Sequence, residues 1–448
     1  MTTGRARGGG GRRGGAVALL SVGLAVVAGG APAPAGLVAG AARRAPAAGP
    51  LVATVRVGLH PIDLAVDARL GRVFVLNGGD AGGGGSVSVL DATTGRVRGT
   101  TPLGVVGAFD GFNLGQQALG VDNHTGRVFV LRAGKNPETD AGSVAVLDAA
   151  SGRRLGTVEV GVHPLGLALD ERTGRVFVTI GGGGVSMLDS ATGRLLRTVP
   201  GLKGDGALAV DGRAGRVVVA DGNAVGLLDA GTGALVRIVP LPAYLAPLPT
   251  RACAVSVDSR AGLAVVAGAA LDPTTLQVDS ITTLLDTRTG RARRSLFLDY
   301  SMLEPQACSL EGNMPAVGID GARGRAVVVD CLDATFEGLG PCRANLLDTR
   351  RGRVVTHNPA RIGTELAATS ESVGAGAVTV DARRGLAFVA AFGVPSTVVA
   401  LDTGTGRVRA QVQVGRSAAA LAVDEQRDRL FVANEADNTV SVIDTTHL

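Results

Sequence analysis

LAVDEQRDRLFVANEADNTVSVIDTTHL, residues 421–448, closes the chain, and LVATVRVG, residues 51–58, stands alone near its start. The closing stretch holds three apolar runs with β-branched residues and alternation. Each reads as a strand, and aspartate-led turns separate them. It copies units found throughout the chain. LAVDARLGRVFVLN (64–77) precedes SVSVLDATTGRVRGTTPLG (86–104), and VTVDARRGLAFVA (378–390) precedes VVALDTGTGRVRAQVQVG (398–415). A complete unit therefore has four strands, a to d, whereas the closing unit stops at Leu448 after strand c. The isolated 51–58 stretch matches a strand d, as comparison with RVRAQVQVG (407–415) shows.

Each unit is marked by two aspartates. The first series is Asp67, Asp122, Asp170, Asp211, Asp258, Asp320, Asp381 and Asp424; the second is Asp91, Asp148, Asp189, Asp229, Asp286, Asp348, Asp402 and Asp444. Two series of eight imply eight repeats. The shortest steps between them fit the ~40–50 residues of a four-stranded blade. The fold expected is an all-β propeller of eight four-stranded blades, with seven as the alternative, whose last blade is closed by 51–58. A closed ring leaves no blade incomplete and ties both ends of the repeat array together. Both series precede glycine-containing turns, where a carboxylate accepts turn N–H groups and glycine takes positive φ. A calcium-loop reading would need several oxygen ligands converging, and each turn supplies one dependable carboxylate.

Composition agrees. The chain is 46% hydrophobic and only 3% aromatic, with 68 glycines and no tryptophan. Small aliphatic and β-branched residues must fill the core. The formal charge of +5 resides in the first 50 residues, which hold six arginines and no acid; the remainder carries −1. The basic pI is thus no signal for nucleic acid, and none is expected as a partner.

Residues 1–35 read as a signal peptide. Four arginines precede the uncharged run AVALLSVGLAVVA (16–28), and small residues follow up to Ala35. The run is short for a membrane span, so no stable insertion is expected after cleavage; an uncleaved anchor is the alternative. Residues 36–50 read as an Ala/Gly/Pro-rich linker, and 51–448 as a single propeller domain. These features place the mature protein outside the cytoplasm, secreted or in the cell envelope.

GLHPIDLAVDARLGRVFV (58–75), GVHPLGLALDERTGRVFV (161–178) and RLFVANEADNTVSVIDT (429–445) resemble the YVTN-type β-propeller repeat family. FVAN stands where that family has its namesake motif. The resemblance covers roughly 51–448 and implies an extracytoplasmic propeller, often without a known catalytic role. Seven-bladed members are common, and the eight repeats depart from them.

In a propeller the a–b and c–d turns share one face, and the d–a and b–c connections share the other. Here the first set is short and uniform. The insertions 104–117, 132–142, 240–251, 268–280, 299–314, 331–343 and 357–375 fall in the second. Loops on a rigid scaffold commonly carry function. The binding-face candidates are Phe109, Asp110, Phe112, Tyr244, Tyr300, Glu304, Glu311, Asp333, Phe336 and Glu337. The expected activity is that of a non-catalytic binding or scaffold module for a protein or glycan, and a monomer is expected. The alternative is a lactonase-like hydrolase with a metal at the channel mouth. No catalytic residues, metal ligands or cofactor are assigned, because no nucleophile–base, phosphate-loop or metal-ligand motif occurs.

An even cysteine count in an exported chain favours disulfides. Cys331 and Cys342 flank one b–c insertion and are expected to pair, as are Cys253 and Cys308. A four-cysteine zinc site would be expected to show C-x-x-C spacing, which is missing. His60 and His163 occupy the same place in two units, each before a proline. A metal ring there would be incomplete, because the other units lack histidine.

Overall fold

The computed structural model describes residues 49–448 apart from 81–83, 105, 107–116, 135, 137–138, 182, 203–205, 243–249, 272–277, 303–314, 332–341, 358–374 and 392–394. Only the backbone is described at 271, 278–279, 299–302, 330–331, 342, 356–357 and 375–376. The signal-peptide assignment and residues 36–48 of the linker lie outside the described residues.

Eight four-stranded antiparallel sheets form the blades of a β-propeller. Seven run continuously, spanning Pro61–Gly104, Leu119–Val162, Pro164–Val199, Leu208–Pro240, Arg251–Met302, Ala316–His357 and Ala375–Gln413. The eighth takes three strands from Ala418–Asp444 and its outermost strand from Leu51–Arg56. That strand, β1, runs antiparallel to Thr439–Asp444, with Thr54 opposite Ser441 and Arg56 opposite Thr439. The Asp444 N–H donates to the Pro50 carbonyl at 2.7 Å, and the Val57 N–H donates to that of Asn438 at 3.0 Å. Eight blades and the closing strand agree with the sequence expectation.

The core is a succession of layers between neighbouring blades. The third residue of every strand b faces the following blade. It is Phe74, Phe129, Phe177, Phe388 or Phe431 in blades 1, 2, 3, 7 and 8, all fully buried. Blades 4, 5 and 6 use Val218, Val265 and Val327 there. Period-two alternation in each strand therefore gives every blade two apolar faces. The layer between blades 8 and 1 includes Ala53, Val55 and Val57, so the closing segment contributes to the packing as well as to the ladder.

The two aspartate series do different work. All eight of the first series are buried. Besides capping the a–b turn, several accept from the next blade. Thr287 Oγ1 donates to Asp211 at 2.6 Å, and Thr403 Oγ1 donates to Asp320 at 2.6 Å. Where blade 1 has Ala92 in place of that hydroxyl, Arg427 binds Asp424 and donates to the Ala68 carbonyl of blade 1. The second series lies nearer solvent, the buried Asp348 excepted, and pairs with arginine. The partner usually begins strand b, as in Arg175–Asp189 and Arg429–Asp444. Blades 5 and 7 have Leu263 and Leu386 at that position, and strand d supplies Arg293 and Arg409 instead. These arginines help hold Asp286 and Asp402 down at about 2.

Removal of residues 51–58 leaves blade 8 with three strands and opens the layer beneath Val55. The variant is expected to melt lower by about 10 °C or more in a thermal unfolding scan. An unchanged melting temperature would overturn the closure.

Candidate functional site

Strands a line the central channel. Its end on the d–a/b–c side opens into a cavity of about 250 Å³, walled by residues at or just before the start of strand a in seven blades and by Gln117, which precedes strand a of blade 2. Four residues before the first-series aspartate, each unit places one residue at an equivalent level. In chain order these are Asp63, Ala118, Gly166, Ala207, Ala254, Ala316, Ala377 and Ala420. Seven are alanine or glycine, and one is a carboxylic acid. Their small size leaves room along the axis, and it lets the innermost strands approach one another. A Cβ on Gly166 would lie 2.1 Å from the Gly206 carbonyl oxygen of the next blade, so only glycine fits at that level in unit 3.

Asp63 is half-buried in this wall. Its Oδ1 accepts the Leu64 N–H at 2.7 Å, and its Oδ2 accepts those of Ala118 and Leu119 at 2.7 and 2.8 Å. The side chain thereby binds blade 1 to blade 2, where the 104–117 insertion joins strand a of blade 2. Burial pushes its pKa up to about 7, against the pull of the three N–H donors. No arginine, lysine or histidine pairs with it among the described residues. Gln117 adds an exposed side-chain amide to the wall, which is otherwise built of aliphatic side chains, glycine, proline and Cys253.

The ten binding-face candidates are not tested by this geometry. Phe109, Asp110, Phe112, Tyr244, Glu304, Glu311, Asp333, Phe336 and Glu337 lie outside the described residues. Tyr300 lies on strand d of blade 5, Ala292–Met302, which is longer than the sequence suggested, and only its backbone is described. Strand b of that blade likewise extends to Leu271 and strand c begins at Val278, so part of the 268–280 insertion is hairpin ladder. The segments named as insertions contain twelve acids and five bases.

Cys331 and Cys342 stand directly opposite each other in the backbone register of strands b and c of blade 6. Their side chains, and Cys308, lie outside the described residues. Cys253 lies in the channel wall. His60 and His163 do not line the cavity. They turn the chain into strand a with φ of 51° and 54°, a role Ser417 fills in blade 8 at 53°. His60 faces Glu435 at 3.8 Å across the closing joint. Asn434, in the FVAN motif, is a structural clamp. Its Oδ1 accepts the Gly415 N–H, and its Nδ2 donates to Thr439 and Ser441. Among the described residues no three His, Cys, Asp or Glu side chains group as metal ligands.

Comparison with known proteins shows the fold alone. No family model matches the chain, and no curated protein does. Among solved structures it is similar to BamB from Moraxella catarrhalis, with 14% identity, a TM-score of 0.56, and coverage of 88% of this chain and 98% of that one. The computationally designed Ika8 protein gives 16%, 0.53, 87% and 98% in the same order. Hydrazine synthase from Kuenenia stuttgartiensis gives 16%, 0.53, 75% and 97%.

Sequence reading missed Asp63. The signal was available as the one acid at a repeat position that is otherwise alanine or glycine. Because the folded state holds this proton more tightly than the unfolded chain, Asp63's contribution to stability is whole below about pH 4 and is lost as pH rises through about 7. Carboxyl-detected NMR should show Asp63 titrating near pH 7. A midpoint near the ordinary carboxylate value would overturn the assignment.

Proposed function

We propose that this chain is an exported, non-catalytic binding module that engages a protein or glycan through its d–a/b–c face. One observation carries the reading: the two ends of the ring are unlike. The a–b and c–d end consists of short turns whose aspartates are used in capping and in bonds between blades and to arginine. The other end holds the open cavity, and the repeat pattern of the sequence assigns the long insertions to it. A rigid ring that leaves its variable segments at one end suits recognition. Export rests on the basic start of the chain followed by AVALLSVGLAVVA, and among the described residues no helix is long and apolar enough to cross a membrane. The likeness to BamB supports the propeller scaffold, and the YVTN-type resemblance of the repeats agrees with an extracytoplasmic setting.

The test is capture of partners from the native extracytoplasmic fraction and on a glycan array, with two variants. Joint replacement of Phe109, Phe112, Tyr244 and Tyr300 by serine should abolish retention. Replacement of Arg194 and Arg350 by serine, on the opposite end, should leave it unchanged. Loss with the second variant and survival with the first would overturn the reading.

The cysteines belong to the same proposal. Cys331–Cys342 would staple the mouth of one insertion, and Cys253–Cys308 would tie another to the channel wall. Mass spectrometry of a non-reduced digest should give these two linked peptide pairs, and any other pairing would refute them.

A further inference from the structure

The net charge of −1 beyond residue 50 conceals an uneven distribution. The a–b turns comprise the six residues from each first-series aspartate. The c–d turns, with the start of strand d, comprise the nine from each second-series aspartate, or five in the last unit. Together these segments hold 30 of the 36 arginines that follow residue 50, against 19 acids. The acids are engaged within the fold. Only Glu171 among them is exposed, and the aspartates cap their own turns or receive donors from the next blade. Sixteen of the arginines, in contrast, are exposed and make no ion pair among the described residues. Arg96, Arg153, Arg172, Arg213, Arg260 and Arg288 represent them in blades 1 to 5. A surface that serves solubility alone mixes both signs. Here one sign reaches solvent, because the other is built into the turns.

Shape narrows the partner. Every a–b turn has four residues between its strands, and the c–d turns have four or five. No turn is long enough to rise over the others and wall a groove of the kind that tracks a linear polyanion. The end is a broad cationic face instead. The ring's first strand also starts on this side, where the Pro50 carbonyl accepts the Asp444 N–H. The residues joined to it there hold six arginines and no acid. Guanidinium groups suit phosphate, since their planar fork donates two parallel N–H bonds. The turn segments contain no aromatic residue, so attachment would be electrostatic, without an inserted anchor. We infer that the a–b/c–d end of the ring is a docking face for an anionic lipid surface, with its arginines against headgroup phosphates and the opposite end turned outward. The partner-binding reading uses that opposite end, so either reading can fail without the other.

Arginine footprinting of the full chain with phenylglyoxal tests it. The two surfaces are vesicles of phosphatidylcholine alone and of phosphatidylcholine with an equal share of phosphatidylglycerol. On the anionic vesicles Arg96, Arg153, Arg172, Arg213, Arg260 and Arg288 should lose reactivity by about five-fold or more, as adsorption through several basic residues allows. Arg56 ends strand d of blade 8 and Arg251 begins strand a of blade 5, so both lie at the other end, and both should react alike on the two surfaces. Protection should vanish at about 1 M salt, where the screening length is about 3 Å. Joint replacement of the six arginines by glutamine leaves every turn aspartate and glycine in place. Arg194 and Arg407, retained in that variant, should then react alike on both vesicles. If the variant does not fold, the footprint of the parent chain still decides. Equal reactivity of the turn arginines on the two vesicles, or equal protection of Arg56 and Arg251, would overturn the inference. So would protection by heparin but not by vesicles, or undiminished protection of Arg194 and Arg407 in the variant.

Discussion

A blade of this protein has two apolar faces, and neither can be left against water. The third residue of each strand b presses on the following blade, and the residue before it faces the preceding one, as Phe74 and Val73 do on the two sides of blade 1. Among the described residues no blade has a polar outer face to cap the array, and the layers run round a ring until the last meets the first. Everything else in the structure follows from that closure. The channel exists because eight innermost strands meet at one axis. The split of the last blade puts a ladder of hydrogen bonds from β1 across the joint where the two ends of the array meet.

The turns show how repeats can diverge while keeping one interaction. A second-series aspartate needs a cation close by, and the source of that cation is free to move. Leu263 and Leu386 replace the usual arginine of strand b, and Arg293 and Arg409 arrive from strand d to the same carboxylate. A first-series aspartate is buried and caps its own turn. A threonine hydroxyl of the next blade adds a donor to Asp211 and Asp320, and where the next blade has Ala92, Arg427 of the aspartate's own blade adds one to Asp424. In each case the constraint is a desolvated carboxylate, and the solution is whichever donor the local geometry offers.

Asp63 belongs to neither series. It sits at a level of the channel where seven units have no polar side chain, and it fastens two blades through backbone N–H groups alone. The same position controls the wall of the cavity and the point where the 104–117 insertion joins blade 2. Rigidity of the scaffold and chemistry of the channel mouth therefore meet in one side chain, on the end of the ring that carries the variable segments.

The sequence by itself determined the repeat, the strand count and the missing outer strand of the last unit. Those properties are local: alternation, turn chemistry and spacing repeat eight times, and a truncated copy at one end calls for its complement at the other. It also assigned the insertions to the d–a and b–c connections, because strand order fixes which connections share an end. It marked Cys331 and Cys342 as facing positions, since a hairpin pairs residues by counting. Only the tertiary structure decided which aspartates are buried and joined to the next blade, because both series read alike as turn formers. Likewise it was the ring that removed His60 and His163 from the channel and brought Asp63 to it. A side chain's direction relative to the axis depends on the twist of all eight blades, and no single unit encodes it.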